Sequence, residues 1–242
     1  MAGGENEGRG SWIAALAAKL AKGWKARRAP PLDPDPYLGA KSAGREIHAL
    51  VRGALDIADS RVHARSLLCA LGAVAGYACQ ASVRAQSVAA GKGPDAPFRT
   101  IQGADGVTYL SGDAMLRPLA EDRMSLWNLA VTAARLHGAK ALPDLEEMFE
   151  YNASVLGSRK FCSPRLSSED SVSGSPAEFA ARLWPVVEAV VLPTGDVRLW
   201  PIAAGLAVQE AIASTKDVVA PELAVKIVME SAIPASRIVI AL

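Results

Sequence analysis

The chain has 242 residues, half of them apolar, which excludes a disordered chain and favours one large domain or one domain with an appendage. Its 26 basic and 25 acidic side chains give a net charge of +1, which excludes the strong positive field typical of nucleic-acid-binding domains. Three cysteines without Cys-x-x-Cys spacing fit neither a disulfide framework nor a zinc site, so we expect reduced thiols and a cytoplasmic protein.

The composition favours α-helices. Alanine, the best helix former, is abundant, whereas aromatic residues make up 5% of the chain. We therefore predict a mainly α fold, an irregular multi-helix bundle around a central Ala/Gly-rich helix, with one β-hairpin near residues 98–110. We divide the chain into an N-terminal helix with a proline-rich linker (1–39) and a single helical domain (40–242).

The first helical pattern is Ser11–Arg28, which is amphipathic, and residues 1–30 carry six basic and two acidic side chains. One interpretation is a helix that contacts a membrane surface or docks into the groove of a partner protein. The simpler interpretation is a helix packed on its own domain with its lysines in solvent. Four prolines in 29–39 predict an extended linker after it. The residues that would contact a partner or membrane are Trp12, Leu16, Lys19, Leu20, Lys22 and Trp24.

A helix over Lys41–Ala58 and a longer one over Ser60–Ala90 follow. The uncharged stretch 66–83 in the second helix is nearly long enough to span a membrane. Its many small residues make a buried helix the preferred interpretation over an integral membrane span. Gly72 and Gly76, four residues apart, would allow another helix backbone to approach closely.

The next segment, Phe98–Leu110, has β-branched and aromatic residues on both sides of Asp105-Gly106, a pattern that predicts a hairpin. Helices are then expected to open near prolines or capping residues. The predicted openings are Pro118 (running to His137), Pro143 (running to Leu156), the Ser175–Glu178 capping box, Pro201 and Pro221. Between them, Cys162–Ser175 is rich in serine and predicts a surface loop. Pro185 should kink or break its helix.

No catalytic or phosphate-binding motif is present. The three histidines, His48, His63 and His137, lie on different predicted helices, and the first two sit beside arginines, which suggests solvated faces. We therefore predict no metal site and no cofactor. Glu222, Lys226 and Glu230 recur every four residues, which predicts one polar stripe with favourable pairing of charges along the helix.

Charged residues stranded in apolar helices are the more informative candidates, because a buried charge must be paired or must shift its pKa. Glu188 and Glu210 are such residues, and Asp113 follows the hairpin, so these three are the candidate catalytic carboxylates. The glutamates could equally form structural ties to arginine or emerge at the surface, and Asp113 could be a helix cap. The sequence Arg-Leu-Trp-Pro occurs at 182–185 and 198–201 and supplies the candidate binding residues Arg182, Trp184, Arg198 and Trp200.

Two functions remain open. The first is an intracellular helical protein-protein interaction or assembly module, which rests on the N-terminal helix, the linker and the apolar C-terminus Ile238–Leu242. Its partner would be a protein or a second copy, with peripheral membrane contact by residues 11–28 also open and nucleic acid not expected. The alternative is a small-molecule enzyme that uses buried carboxylates in a cleft between the C-terminal helices.

Overall fold

The computed structural model describes residues 35–55, 60–167 and 170–240, and for 60–63 it describes the backbone alone. These residues form seven α-helices and a two-stranded antiparallel hairpin, which confirms the mainly α fold. From Gly39 onward the chain forms one compact unit. The helices are α1 (Leu38–Ala54), α2 (Ser60–Ala89), α3 (Leu126–Leu136), α4 (Leu145–Ser154), α5 (Pro176–Val191), α6 (Leu199–Thr215) and α7 (Pro221–Ala235), and the strands are β1 (Arg99–Gln102) and β2 (Thr108–Ser111).

Helix α2 is the centre of the bundle, as predicted, and it packs against α5, α6 and α7. Gly72 and Gly76 lie at the contact between α2 and α7. A Cβ atom at Gly72 would lie 2.5 Å from the carbonyl oxygen of Val228, and one at Gly76 would overlap the backbone of Ala232. The two glycines therefore allow the backbones of α2 and α7 to touch.

The segment Ala64–Ala89 of α2 is long and apolar enough to cross a membrane by composition. In this fold, 94% of the most apolar stretch of this segment is buried inside the protein. A central helix surrounded by other helices has this composition for the same reason that a membrane span does, since all its faces meet apolar groups.

The predicted hairpin is confirmed, with its turn at Asp105-Gly106. Gly106 has a φ of +77°, and the Asp105 carboxylate accepts a hydrogen bond from the Val107 N–H at 3.0 Å. The other edge of β2 is joined by the segment that follows α7, because Tyr109 forms a β-bridge with Ile238. The apolar C-terminal segment therefore docks on the fold at this point, and residues 241–242 lie outside the described residues.

The helices α3, α4 and α5 each begin at a side-chain cap, supplied by Ser125, Asp144 and Ser175. The predicted capping box at Ser175 is confirmed. The predicted single helix from Pro118 to His137 is wrong. A π-helical turn covers Arg117–Glu121, the backbone becomes extended at Asp122, and α3 starts only after the Ser125 cap.

Pro185 does not break α5, so of the two expected outcomes, a kink or a break, the break is wrong. The helix is continuous from Pro176 to Val191. Proline removes the N–H that would bind the carbonyl of Ala181, but both residues are exposed, so water can hydrate that carbonyl.

The Ser-rich loop has exposed serines at 163, 167, 171 and 173. It is nevertheless tied to the helices, because the Ser173 N–H donates to the Ser66 hydroxyl at 2.9 Å and Arg65 forms an ion pair with Asp170 at 2.5 Å. Cys162 at the start of the loop is buried, and all three cysteines are free.

Candidate functional site

A cleft of about 720 Å³ lies where the end of β2, the start of α4 and the chain after α7 meet. Its surface combines apolar side chains with four charged ones. The apolar contribution comes from Met115, Leu116, Leu119, Leu145 and Phe149. The charged contribution comes from Asp113, Glu121, Glu146 and Arg237.

One wall of the cleft is the irregular segment between β2 and α3. A 3-10 turn at Asp113–Met115 is followed by the π-helical turn at Arg117–Glu121. Met115 and Leu119 are buried and anchor this wall, whereas Asp113 and Glu121 stay exposed. π-Helical turns of this kind are rare in proteins.

Arg237 also lines the cleft, and hydrogen bonds fix its backbone and that of its two neighbours. Its N–H donates to the Pro234 carbonyl at 3.0 Å, and its carbonyl accepts from the Leu110 N–H of β2 at 2.8 Å. The fully buried Gln80 of α2 donates to the carbonyls of Ser236 and Ile238, at 2.9 and 2.8 Å. The central helix therefore fixes the backbone that carries Arg237.

The Arg237 side chain is half-buried, and burial lowers its pKa. It stays cationic at neutral pH, because the ordinary pKa of arginine lies far above 7. It forms no salt bridge and no side-chain hydrogen bond with any described residue, although its nitrogens keep contact with solvent. Partial desolvation of a cation without a partner among the described residues is unfavourable, so an anion bound in the cleft would be stabilised.

The acidic residues of the cleft are also unpaired. Asp113, Glu121 and Glu146 are exposed, and none forms a salt bridge within the part of the chain that the structure describes. Glu146 lies in the first turn of α4, where a negative charge is favourable. Three carboxylates and one guanidinium therefore surround an apolar surface.

Of the three predicted catalytic carboxylates, Asp113 lines this cleft and the other two lie elsewhere. Glu210 is not a buried carboxylate, because its side chain is 46% exposed, which agrees with the alternative that it emerges at the surface. Glu210 lies on the side of α6 that faces α1, and its Oε1 atom is 3.6 Å from Nδ1 of His48. Glu188 on α5 is half-buried, and burial raises its pKa. The structure does not bring the three together.

The predicted binding residues form no common site. Arg198 is exposed and pairs with Asp196 at 2.7 Å, and Arg182 is exposed above the Phe179 ring at 5.3 Å. Neither arginine forms a salt bridge with Glu188 or Glu210. Trp184 and Trp200 are buried, with ring centroids 6.2 Å apart. Trp184 also contacts Tyr77 edge-on at 5.1 Å. The two tryptophans therefore pack in the core.

Sequence reasoning missed two buried ionisable residues. His48 is buried rather than solvated, with 5% of its surface exposed. Glu230, a member of the predicted polar stripe, is also buried, with 5% of its side chain exposed. The Ser-rich loop covers it and supplies Arg165, whose guanidinium lies 2.8 Å from its carboxylate. No local pattern connects residues that are 65 positions apart.

Arg237 was missed as well, although a signal for it existed. It is the one charged residue in the apolar C-terminal stretch from Ile233 to Leu242. The criterion of a stranded charge that selected Glu188 and Glu210 therefore applies to it equally.

No group of three or more His, Cys, Asp or Glu side chains that could hold a metal ion occurs among the described residues. The predicted partner or membrane surface within residues 11–28 lies outside the described residues. No protein family, curated protein or solved structure is detectably similar to this chain. Function must therefore be inferred from the cleft itself.

Proposed function

We propose that this protein binds a small organic carboxylate in the cleft, with the carboxylate group on Arg237. The observation that carries the proposal is the Arg237 guanidinium, which is partly desolvated, unpaired among the described residues and held on a rigid backbone in the wall of the cavity. A volume of about 720 Å³ lies in the range of small-molecule sites.

The chemistry of the lining favours a carboxylate with an apolar body. The planar guanidinium can donate two parallel hydrogen bonds to a carboxylate. The side chains of Met115, Leu119 and Phe149 offer apolar contact to the rest of the ligand. The acidic residues in the same cleft disfavour polyanions such as phosphate esters, because like charges repel.

For the enzyme alternative, the cleft offers one of the three candidate carboxylates. Asp113 lines the cleft and would lie near a bound ligand, where a carboxylate can accept a proton. Glu188 and Glu210 are located elsewhere, so a pair of these carboxylates is not available to the ligand. Binding is therefore the function that the cleft supports best.

The interaction or assembly module stays a prediction. Its basic amphipathic helix lies outside the described residues. The apolar C-terminus, on which it also rested, is used within the fold as far as it is described, since Ile238 pairs with Tyr109 and accepts a hydrogen bond from Gln80.

The first prediction tests Arg237 directly. Binding of 3-phenylpropanoate to the full chain is measured by ligand-observed NMR and by isothermal titration calorimetry. Substitution Arg237→Gln should weaken binding about tenfold to a hundredfold, because a hydrogen bond to a charged group contributes roughly 1.5–3 kcal/mol. The affinity of Arg237→Lys should lie between those of the unmodified protein and Arg237→Gln, since lysine keeps the charge and lacks the planar guanidinium.

The matched control is Arg135→Gln, which removes an exposed arginine of α3 that does not line the cleft. It should leave binding unchanged. Circular dichroism and a thermal melt show whether each variant is folded. A folded Arg237→Gln variant that binds 3-phenylpropanoate as tightly as the unmodified protein would refute the proposed function.

A further inference from the structure

The cleft contains more negative than positive charge, and this imbalance constrains the ligand beyond its carboxylate. Asp113, Glu121 and Glu146 line the same cavity as Arg237. Within the described part of the chain, none of these four side chains is neutralised by a salt bridge. A ligand with a carboxylate alone would satisfy the guanidinium and leave the three carboxylates facing another negative charge.

We propose that the ligand of this cleft is an amino carboxylate, a molecule with a carboxylate for Arg237, an ammonium group for the acidic residues and an apolar body between or beside them. This inference rests on the proposed function, because it takes the carboxylate–Arg237 contact as given. It goes further by assigning a second charged group of opposite sign.

The acidic side chains do not stand alone as evidence. They share a cavity of about 720 Å³ with an unpaired, partly desolvated guanidinium and with apolar side chains such as Leu119 and Phe149. An ammonium ion gains from nearby carboxylates most where water is partly excluded, because the effective dielectric constant is lower there. A zwitterion matches both signs of charge, whereas a carboxylate or an amine matches one.

The test uses probes that differ by one charged group. L-Phenylalanine carries both groups, 3-phenylpropanoate lacks the amine, and 2-phenylethylamine lacks the carboxylate. A fourth probe, 3-[4-(aminomethyl)phenyl]propanoate, places the amine at the far end of the ring. Dissociation constants for the full chain are measured by isothermal titration calorimetry at low ionic strength, where charge–charge contacts are least screened.

At least one of the two amino carboxylates should bind at least fivefold more tightly than 3-phenylpropanoate. The combined substitution Asp113→Asn, Glu121→Gln and Glu146→Gln should remove this preference and leave 3-phenylpropanoate bound as tightly or more tightly. These residues are exposed, so the variant should stay folded. Glu150→Gln, an exposed acid of α4 that does not line the cleft, should change nothing.

Two failures are distinguishable. If 3-phenylpropanoate binds through Arg237 as tightly as both amino carboxylates, the second charge is refuted and the proposed function stands. If 2-phenylethylamine binds as tightly as the amino carboxylates and Arg237→Gln changes nothing, the proposed function fails and this inference fails with it. If none of the four probes binds, both are refuted.

Discussion

Glu230 and Arg237 lie seven residues apart near the C-terminus, and they differ in whether their charges are paired within the fold. Glu230 is buried on α7 and forms an ion pair with Arg165, which also binds Glu147 and lies 4.0 Å above the Tyr151 ring. Arg237 has no such partner among the described residues. The paired charge therefore anchors the Ser-rich loop, whereas the guanidinium of Arg237 has no ion-pair partner in the described part of the chain.

Removing one partner of a buried ion pair leaves the other charge desolvated, which typically costs about 3–5 kcal/mol. We expect Arg165→Met to lower the free energy of unfolding by about 3 kcal/mol, since Arg165 itself stays partly exposed. The double substitution Arg165→Met with Glu230→Met should recover much of this loss. Urea denaturation followed by circular dichroism measures both.

The control for this pair is Glu147→Gln, which removes the exposed partner of the same arginine. An exposed ion pair contributes about 1 kcal/mol or less, so this variant should remain close to the unmodified protein. A loss in Arg165→Met no larger than that in Glu147→Gln would show that the Glu230 contact does not stabilise the fold.

Among the elements, the contact between α2 and α7 depends on the absence of side chains. A Cβ atom at Gly76 would overlap the backbone of Ala232, and backbone cannot move aside as a flexible side chain can. Gly53 near the end of α1 is the opposite case, with open space where a Cβ would point. The same substitution should therefore have opposite effects at the two positions.

We expect Gly76→Ala to reduce the free energy of unfolding by at least about 2 kcal/mol, because the two helices must separate. Gly53→Ala should increase it by roughly 0.5–1 kcal/mol, since alanine loses less entropy in a helix than glycine. Both are read from urea denaturation curves. Equal effects of the two substitutions would mean that the helices do not pack as closely as the structure has them.

The whole molecule has a net charge near zero, so its stability near neutral pH should depend on individual buried groups. His48 on α1 is buried beside α6. Burial lowers its pKa below the ordinary 6.5, and Arg52 acts in the same direction, whereas Glu210 opposes them. The folded protein therefore favours neutral His48. The stability from this group is fully present above pH 6.5 and decreases as the pH falls and the unfolded state binds the proton more readily.

We expect the free energy of unfolding to decrease between pH 7 and pH 5, and His48→Phe to reduce this decrease. Chemical denaturation at a series of pH values measures both slopes. Identical slopes for His48→Phe and the unmodified protein would contradict the assignment.

Much of the fold was predictable because its causes are local or periodic. The capping box at Ser175–Glu178 and the turn at Asp105-Gly106 depend on hydrogen bonds within a few residues of the chain. The central position of α2 follows from its apolar composition. The expectation of one helix from Pro118 to His137 failed because Ser125 caps a separate helix. Pro185 leaves α5 continuous, because the damage done by a proline depends on whether the freed carbonyl reaches water.

The candidate site was predictable only in fragments. The position of Asp113 after the hairpin indicates this residue. Arg237 fits the criterion of a charge stranded among apolar residues, but it was not among the predicted site residues. Glu210 is exposed, which is one of the alternatives left open for it, whereas Glu230 of the predicted polar stripe is buried. A glutamate in an apolar helix is buried or exposed according to what covers that face, and this cover comes from residues far away in the chain.

The sequence by itself determined the helical class, the central position of α2, the hairpin and most helix starts, since these follow from composition, periodicity and short-range hydrogen bonding. The tertiary structure alone decided which charges are paired. Glu230 meets Arg165 across 65 residues, whereas Arg237 meets the wall of a cleft built from β2, the π-helical turn and α4. Electrostatic pairing depends on distance and solvent access, which only the folded chain defines.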